Sequence, residues 1–360
     1  MSKKIIFVCA RFFPDKGGVE KHVLELSREL VKNGYLVDVL TVSTDPEISS
    51  ATTIDGINIF RIKAFSRGFI NRLYVNFQFV LNISRFKDSD IIHFHDYFPV
   101  WGWNLINVFF IRVLLNTKFY VTFHGWEGTY PPKKSIIFKR KLVERLSAGS
   151  IAIGHYVSKW YGTRSRYVSY GAVSSPEVKL PRKPVISAKT SKNIKFLFVG
   201  RLESDTGILQ YLNQLEELSN HRDDFELTVC GDGSLSQFIS ELTQEFSYKV
   251  FMKGFVDDIN SCIKSADFVL TSGYLGILEA LSHGKPVIAV YENELKHDYL
   301  TMVPSQQDMF FICDDSIKIS DILNIDENIL DNMTNVGSKY SLSQSWSEMR
   351  KTYEKLWGLS

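Results

Sequence analysis

Cysteine is scarce: Cys9, Cys230, Cys262 and Cys313 are the only four in 360 residues, and no two form a C-x-x-C pair. Scattered thiols exclude a disulfide framework and a cysteine-based zinc site, and they fit a reducing compartment. Long apolar runs are missing as well. The longest, VWGWNLINVFFIRVLLN at 100–116, contains Asn104, Asn107 and Arg112. It is shorter than a membrane span needs and reads as a buried helix. The apolar run after Lys3 and Lys4 is too short for the core of a secretory signal, and Arg11, Pro14 and Lys16 interrupt the residues beyond it. A cytoplasmic chain is the expectation. Short-period repeats, low-complexity tracts and a dinucleotide-type G-x-G-x-x-G are lacking too.

A large net charge is also absent, since 42 Lys and Arg meet 40 Asp and Glu. The near-balance hides an asymmetry. Residues 1–185 carry 27 basic and 14 acidic residues, and the remainder carries 15 and 26. A basic half attracts an anionic partner such as a membrane surface, a lipid phosphate or nucleic acid; a pair of solvated faces is the plainer alternative.

What is present is abundant aromatic residues, 26 Phe and 16 Tyr, in a chain long enough for two domains. Short β-branched runs alternate with helical patterns: 4–10, 36–42, 57–62, 90–95, 118–124, SIAIG and RYVSYGAV in the first half. IKFLFVG, FELTVCG, YKVFMKG, ADFVLTS, KPVIAV and MFFIC come in the second. That alternation predicts α/β architecture with parallel sheets. Val19, Val23, Leu26 and Leu30 recur at helical spacing, and Gly34 suits the helix end. The boundaries read as a first Rossmann-like domain over 1–175, a Pro- and Ser-rich linker over 176–193 and a second domain over 194–340. An amphipathic helix over 341–360 carries a stripe of Trp346, Met349, Tyr353 and Trp357 for packing back on the first domain.

In open α/β sheets, ligands sit beyond the C-terminal strand ends. Gly17 and Gly18 lie there, before a helix, as an anion cradle or a tight glycine turn. His93, His95 and Asp96 come at the end of another strand; with no further ligand at recognisable spacing, polar lining is a better reading than a metal site. His124, beside Gly125 and Trp126, is placed to donate to a phosphate or sugar, or to be a buried structural histidine. In the second half Gly200 and Arg201 end a strand, and a guanidinium is a permanent bidentate partner for a diphosphate. Gly231 and Gly233 form a second glycine turn, Phe255 comes after a third strand, and Gly276 and Glu279 sit in a strand–turn–helix run. The D-S-D at 88–90 precedes a strand and reads as a turn.

Taken in order, FFPDKGGVEKH, DIIHFHD, VTFHG, FVGRL, VCGDGSL and LEALSHGKPVIA resemble the family 4 retaining glycosyltransferases of GT-B fold over nearly the whole chain. The resemblance implies two Rossmann-like doubly wound domains facing a central cleft. It implies a UDP- or GDP-linked hexosyl donor held mainly by the second domain and a glycan, glycolipid or lipid-linked acceptor held by the first. Retention of configuration without a metal or other cofactor is also implied. Gly17, Gly18, Gly200, Arg201, Thr206, Gly231, Gly233, Phe255, Gly276 and Glu279 then belong to the donor. His93, His95, Asp96 and Trp126 belong to the acceptor, and His124 and Arg201 serve the chemistry. The basic run 131–146 is a candidate contact with an anionic membrane face; nucleic acid is not implied.

Two positions depart from the family. Thr206 stands where the family has lysine, and Thr271 stands where the first glutamate of its E-x7-E element falls. A sugar-nucleotide binding protein with weak or no turnover, or an epimerase of the same fold, are the alternatives these departures keep open.

Overall fold

In the computed structural model, residues 2–15, 17–65, 69–99, 118–125, 128–174 and 193–359 are described. The expected buried helix at 100–116, Trp126 and nearly all of the expected linker lie outside them. The chain divides into two compact units, Met1–Tyr170 with Trp346–Ser360, and Gly171–Ser345.

The first unit is built on an eight-stranded sheet in the order β3-β4-β2-β1-β5-β6-β7-β8. Its strands are β1 (Lys4–Val8), β2 (Leu36–Ser43), β3 (Ala51–Ile54), β4 (Ile57–Lys63), β5 (Ile91–His95), β6 (Phe119–Phe123), β7 (Ser150–Ile153) and β8 (Tyr167–Ser169). All neighbours pair in parallel except β3 with β4. Strand β3 is not among the strands that sequence pattern predicts, although it has a signal. Asp55-Gly56 supplies two residues of positive φ, 50° and 78°, which is what a two-residue hairpin turn asks of its centre.

Helix Gly18–Lys32 turns its buried side, His22, Val23, Leu26, Ser27 and Leu30, to the core. It ends with Gly34 at φ 85°, whose N–H reaches Val31 O while that of Tyr35 reaches Leu30 O. This pair of hydrogen bonds closes the last turn and needs the left-handed residue that glycine provides. The final helix, Trp346–Trp357, packs on helix Gly18–Lys32 with Trp346, Met349, Tyr353, Leu356 and Trp357 buried. Asp90 of the D-S-D run accepts from Lys4 N and Lys3 Nζ at 2.8 and 2.9 Å, so it ties strand ends together.

The second unit carries a fully parallel six-stranded sheet, β11-β10-β9-β12-β13-β14. Here β9 is Ile194–Val199, β10 Phe225–Cys230, β11 Lys249–Gly254, β12 Phe268–Leu270, β13 Val287–Val290 and β14 Phe311–Cys313. Phe196, Phe198, Tyr211, Leu215, Phe225, Leu227 and Phe268 fill its core. Strand order reverses at β1 in one sheet and at β9 in the other, and such switch points open a crevice at the strand C-termini.

Candidate functional site

In the first unit the residues at the switch point are buried histidines. His93 and His95 alternate onto one face of β5. Helix Gly18–Lys32 brings His22 to them, and the end of β6 brings His124. His93 is not a cleft residue, which corrects its expected place on the acceptor: it is 0% exposed and both ring nitrogens are engaged. Trp357 Nε1 donates to Nδ1 at 3.0 Å, and Nε2 meets Thr122 Oγ1 at 2.8 Å. An indole N–H only donates, so the neutral ring carries its proton on Nε2 and donates to Thr122. One continuation satisfies every group in turn: Thr122 to Tyr353 OH at 2.7 Å, and Tyr353 to His22 Nε2 at 3.0 Å.

His95 and His124 form a second pair, Nδ1 to Nε2 at 2.8 Å. His95 Nε2 is buried with no partner among the described residues. An orphaned lone pair costs less than an orphaned N–H. The proton of the pair therefore belongs on His95 Nδ1, and His124 carries its own on Nδ1. Burial lowers the basicity of all four rings, and the nearby Arg140 charge helps bring His124 to about 3. His124, at 9% exposure, is thus a neutral imidazole with a defined tautomer. Nitrogens of His22, His95 and His124 lie within 4.8 Å of one another. The sequence shows no such trio, because His22 sits in a helix far from the H-x-H. As a metal cage it fits poorly: a proton already lies between His95 and His124, where two lone pairs would have to converge on an ion.

Arg140 sets the loops beside this pair. It is 0% exposed although it belongs to the basic run 131–146. Its guanidinium lies 4.2 Å from the Tyr161 ring centroid, contacts Asp96 Oδ1 at 3.3 Å and donates to Gly125 O. It thereby fixes the turns after β5 and β6. Asp96 itself has φ 72° and keeps a quarter of its side chain exposed. At the start of helix Gly18–Lys32, Glu20 folds back so closely that a Cβ on Gly17 would stand 2.3 Å from its Oε2. Glu20 also pairs with Arg11 at 3.3 Å. The anion at this helix start is the chain's own carboxylate.

In the second unit the loops after β9 and β10 interlock. Leu202 N donates to Asp232 O, Leu235 N to Leu202 O, and Gly231 N to Gly254 O. A Cβ on Gly231 would stand 1.8 Å from Gly200 O, and one on Gly233 2.4 Å from Leu202 O. These glycines are required by backbone meeting backbone. Gly207, at φ 82°, ends the loop against Val290. Arg201 projects from this frame with 56% of its side chain exposed, both carboxylate oxygens of Asp205 lying 3.2 Å from its Nη2. Thr206 turns inward, its single hydroxyl proton shared between Arg201 O and Glu203 O, each 2.8 Å away. Glu203 is engaged with Ser234 N and Oγ, and these bonds depress its pKa. Thr271 is 2% exposed and donates to Val199 O, with Gly276 so close that a Cβ there would stand 2.5 Å from Oγ1. The missing glutamate position is therefore a buried strut. Glu279 lies on helix Tyr274–Ser282, and Phe255 stands 48% exposed beyond β11.

Two doubly wound parallel units, one presenting an exposed arginine on a glycine-braced loop at its switch point, define a GT-B protein. Comparison with known families agrees. A model described as Glycosyltransferase Family 4 matches residues 16–168, and one described as Glycosyl transferases group 1 matches 193–309. The chain belongs to these family 4-like GT-B glycosyltransferases. It is 27% identical over 306 residues to an uncharacterized glycosyltransferase of Methanocaldococcus jannaschii, covering 76% of each chain. It is 22% identical over 248 residues to the phosphatidylinositol N-acetylglucosaminyltransferase GPI3 subunit of Saccharomyces cerevisiae, a match that spans 65% of this chain and about half, 54%, of that one. The crystal structure of Anabaena HepE in complex with UDP and glucose superposes with a TM-score of 0.71 at 14% identity, covering 98% of each chain.

Proposed function

We propose that the protein transfers a hexosyl group from a nucleotide-diphosphate sugar to a saccharide or lipid-linked acceptor, with retention and without a metal ion. The observation that carries this reading is Arg201: an exposed guanidinium at the switch point of the second sheet, within the segment that matches the group 1 transferases. Departure of a nucleoside diphosphate leaves an oxocarbenium-like sugar and an anion that fixed cations stabilise. Arg201 supplies such a cation, Gly200, Gly231 and Gly233 hold its loop, and Glu279 takes the ribose. Neutral His124 donates to the transferred sugar from Nδ1. Gly17 and Gly18 give the donor backbone access, Phe255 and Gly276 complete the donor site, and Asp96 and Trp126 serve the acceptor; His95, 1% exposed, only orients His124.

A lipid-linked acceptor is favoured by the yeast relative's name and by the basic first half. Helix Lys134–Leu146 exposes Phe138 at 61% among lysines, as a helix resting on an anionic cytoplasmic membrane face would. No described helix is long and apolar enough to cross a membrane. Replacing Lys133, Lys134, Lys139 and Lys141 by serine is expected to reduce pelleting with anionic vesicles; unchanged pelleting refutes the membrane contact.

The activity is tested by incubating the protein with UDP-, GDP- and ADP-sugars and measuring nucleoside diphosphate release. Release that Arg201→Ala abolishes supports the reading. Tight binding without any release favours the second reading, a binder without turnover, which Thr206 and Thr271 motivate.

A further inference from the structure

The loop after β9 lacks the lysine its family carries, and Thr206 cannot substitute for it: a hydroxyl carries no charge, and this one has its only proton engaged within the same loop, by Arg201 O and Glu203 O. A cation nonetheless arrives beside that position from another part of the unit. Lys296, on helix Glu294–Thr301, brings its Nζ to 3.9 Å from Asp205 Oδ2, and Asp205 immediately precedes Thr206. Arg201 contacts the same carboxylate at 3.2 Å. Two cations therefore flank one carboxylate, a spacing that suits the two phosphoryl groups of a diphosphate once Asp205 gives way to it.

Local chemistry marks Lys296 as unusual. It occupies the third position of its helix, with its N–H bonded to the cap, Asn293 Oδ1, at 3.1 Å. Helix N-termini favour acids and disfavour cations, so the helix start does not ask for lysine here. Four-fifths of the side chain is buried, which lowers its pKa despite Asp205 and Glu292 nearby. Its charge is met by Asp205 and by the Tyr299 ring, whose centroid lies 5.8 Å from Nζ, and not by the helix terminus; a residue that breaks a local rule in this way is where function is expected. Its position is braced: Gln210 Nε2 donates to Tyr291 O at 3.0 Å, and Gly207 packs on Val290, so the segment leading to the helix is locked to the Arg201 loop.

We propose that Lys296 is the second diphosphate cation of this site, supplied from helix Glu294–Thr301 in place of the missing loop lysine. The proposal rests on the donor reading above. It is tested with the full chain by calorimetric titration with UDP, GDP and ADP, then with the monophosphate of whichever base binds. Lys296→Met is expected to weaken the diphosphate about ten- to a hundredfold, the range of one hydrogen bond to a charged group, and the monophosphate much less. Lys296→Met with Thr206→Lys, which returns the cation to the loop, is expected to restore most of the affinity; that rescue separates a lost charge from a damaged fold. Equal diphosphate affinity in wild type and Lys296→Met overturns the proposal and leaves the donor reading standing. So does a diphosphate loss that Thr206→Lys fails to rescue. If wild type binds none of the three diphosphates, the donor reading fails and this proposal with it.

Discussion

The four enclosed histidines make the first unit acid-sensitive, and their burial sets the size of the effect. His22, His93, His95 and His124 are held neutral in the folded protein, each with its pKa pushed down first by desolvation and then by neighbouring rings or Arg140. In the unfolded chain each titrates near the ordinary value of about 6.5. Below that pH the unfolded state binds protons that the folded state refuses, so stability rises with pH and is lost as pH falls. The contribution is fully present above about pH 7 and declines through the window below 6.5. Between pH 7.5 and 5.5 each ring that stays neutral costs about 1.4 kcal/mol, and four together about 5 kcal/mol. That is comparable with the whole stability of an ordinary domain, about 5–15 kcal/mol.

Urea titration followed by tryptophan fluorescence reads this directly. All six tryptophans of the chain fall within the residues of the first unit, so the signal reports on it alone. With a slope of about 2 kcal/mol per molar urea, the midpoint is expected to fall by about 2.5 M between pH 7.5 and 5.5. A midpoint that stays put over that range refutes the assignment of four neutral rings. So does a fall of the same size in a variant with His22, His93 and His95 all replaced by glutamine, since that chain retains only His124 of the four.

Single contacts carry further expected outcomes. Tyr353→Phe removes the hydroxyl between Thr122 and His22 and is expected to cost about 1–3 kcal/mol, measured as a lower urea midpoint with the pH dependence retained. Arg140→Met strands Asp96 and Gly125 O; a loss of about 3 kcal/mol is expected, partly recovered when Asp96→Asn is added, and no recovery would argue against the ion pair. Gly231→Ala drives a methyl into Gly200 O and should destabilise the second unit by about 3 kcal/mol, read by circular dichroism. Thr271→Glu restores the family's spacing in sequence yet buries a carboxylate at a 2% exposed strut; lower stability without gained activity is expected, and an active, stable variant would show that the position opens to the sugar.

Much of this molecule is legible from pattern alone because parallel strands buried on both faces are written as unbroken apolar runs. IIFV, FLFV and FVL sit in β1, β9 and β12. Turn chemistry is legible at Gly34, where the helix period stops, and is there to be read at Asp55-Gly56. The site is legible only where function and chain position coincide, as at Arg201 beside its glycine. Spacing could not show that Arg140, in a run of surface lysines, is wholly buried among Tyr97, Phe123 and Tyr161. Nor could it show that His93 is sealed by Trp357, 264 positions away.

The second unit shows why a motif read by counting misleads. Counting places Thr206 and Thr271 as two lost functional groups, and each is instead a hydroxyl closing on backbone carbonyls. A hydroxyl in those places braces the loop and the strand end but offers a donor no charge. Electrostatic demand at the diphosphate is set by the leaving group and not by the sequence register of the cation that meets it. A lysine on any element that ends within reach of Asp205 serves, and only the fold decides which element that is. Lys296 lies 90 positions beyond Thr206 in the chain and 3.9 Å from the residue preceding it. At the other vacancy Thr271 is itself buried, its hydroxyl donating to Val199 O, and Glu203 of the Arg201 loop is held by Ser234. The two departures are therefore different in kind: the missing cation has a structural replacement, whereas the place of the missing acid is taken by a buried hydroxyl.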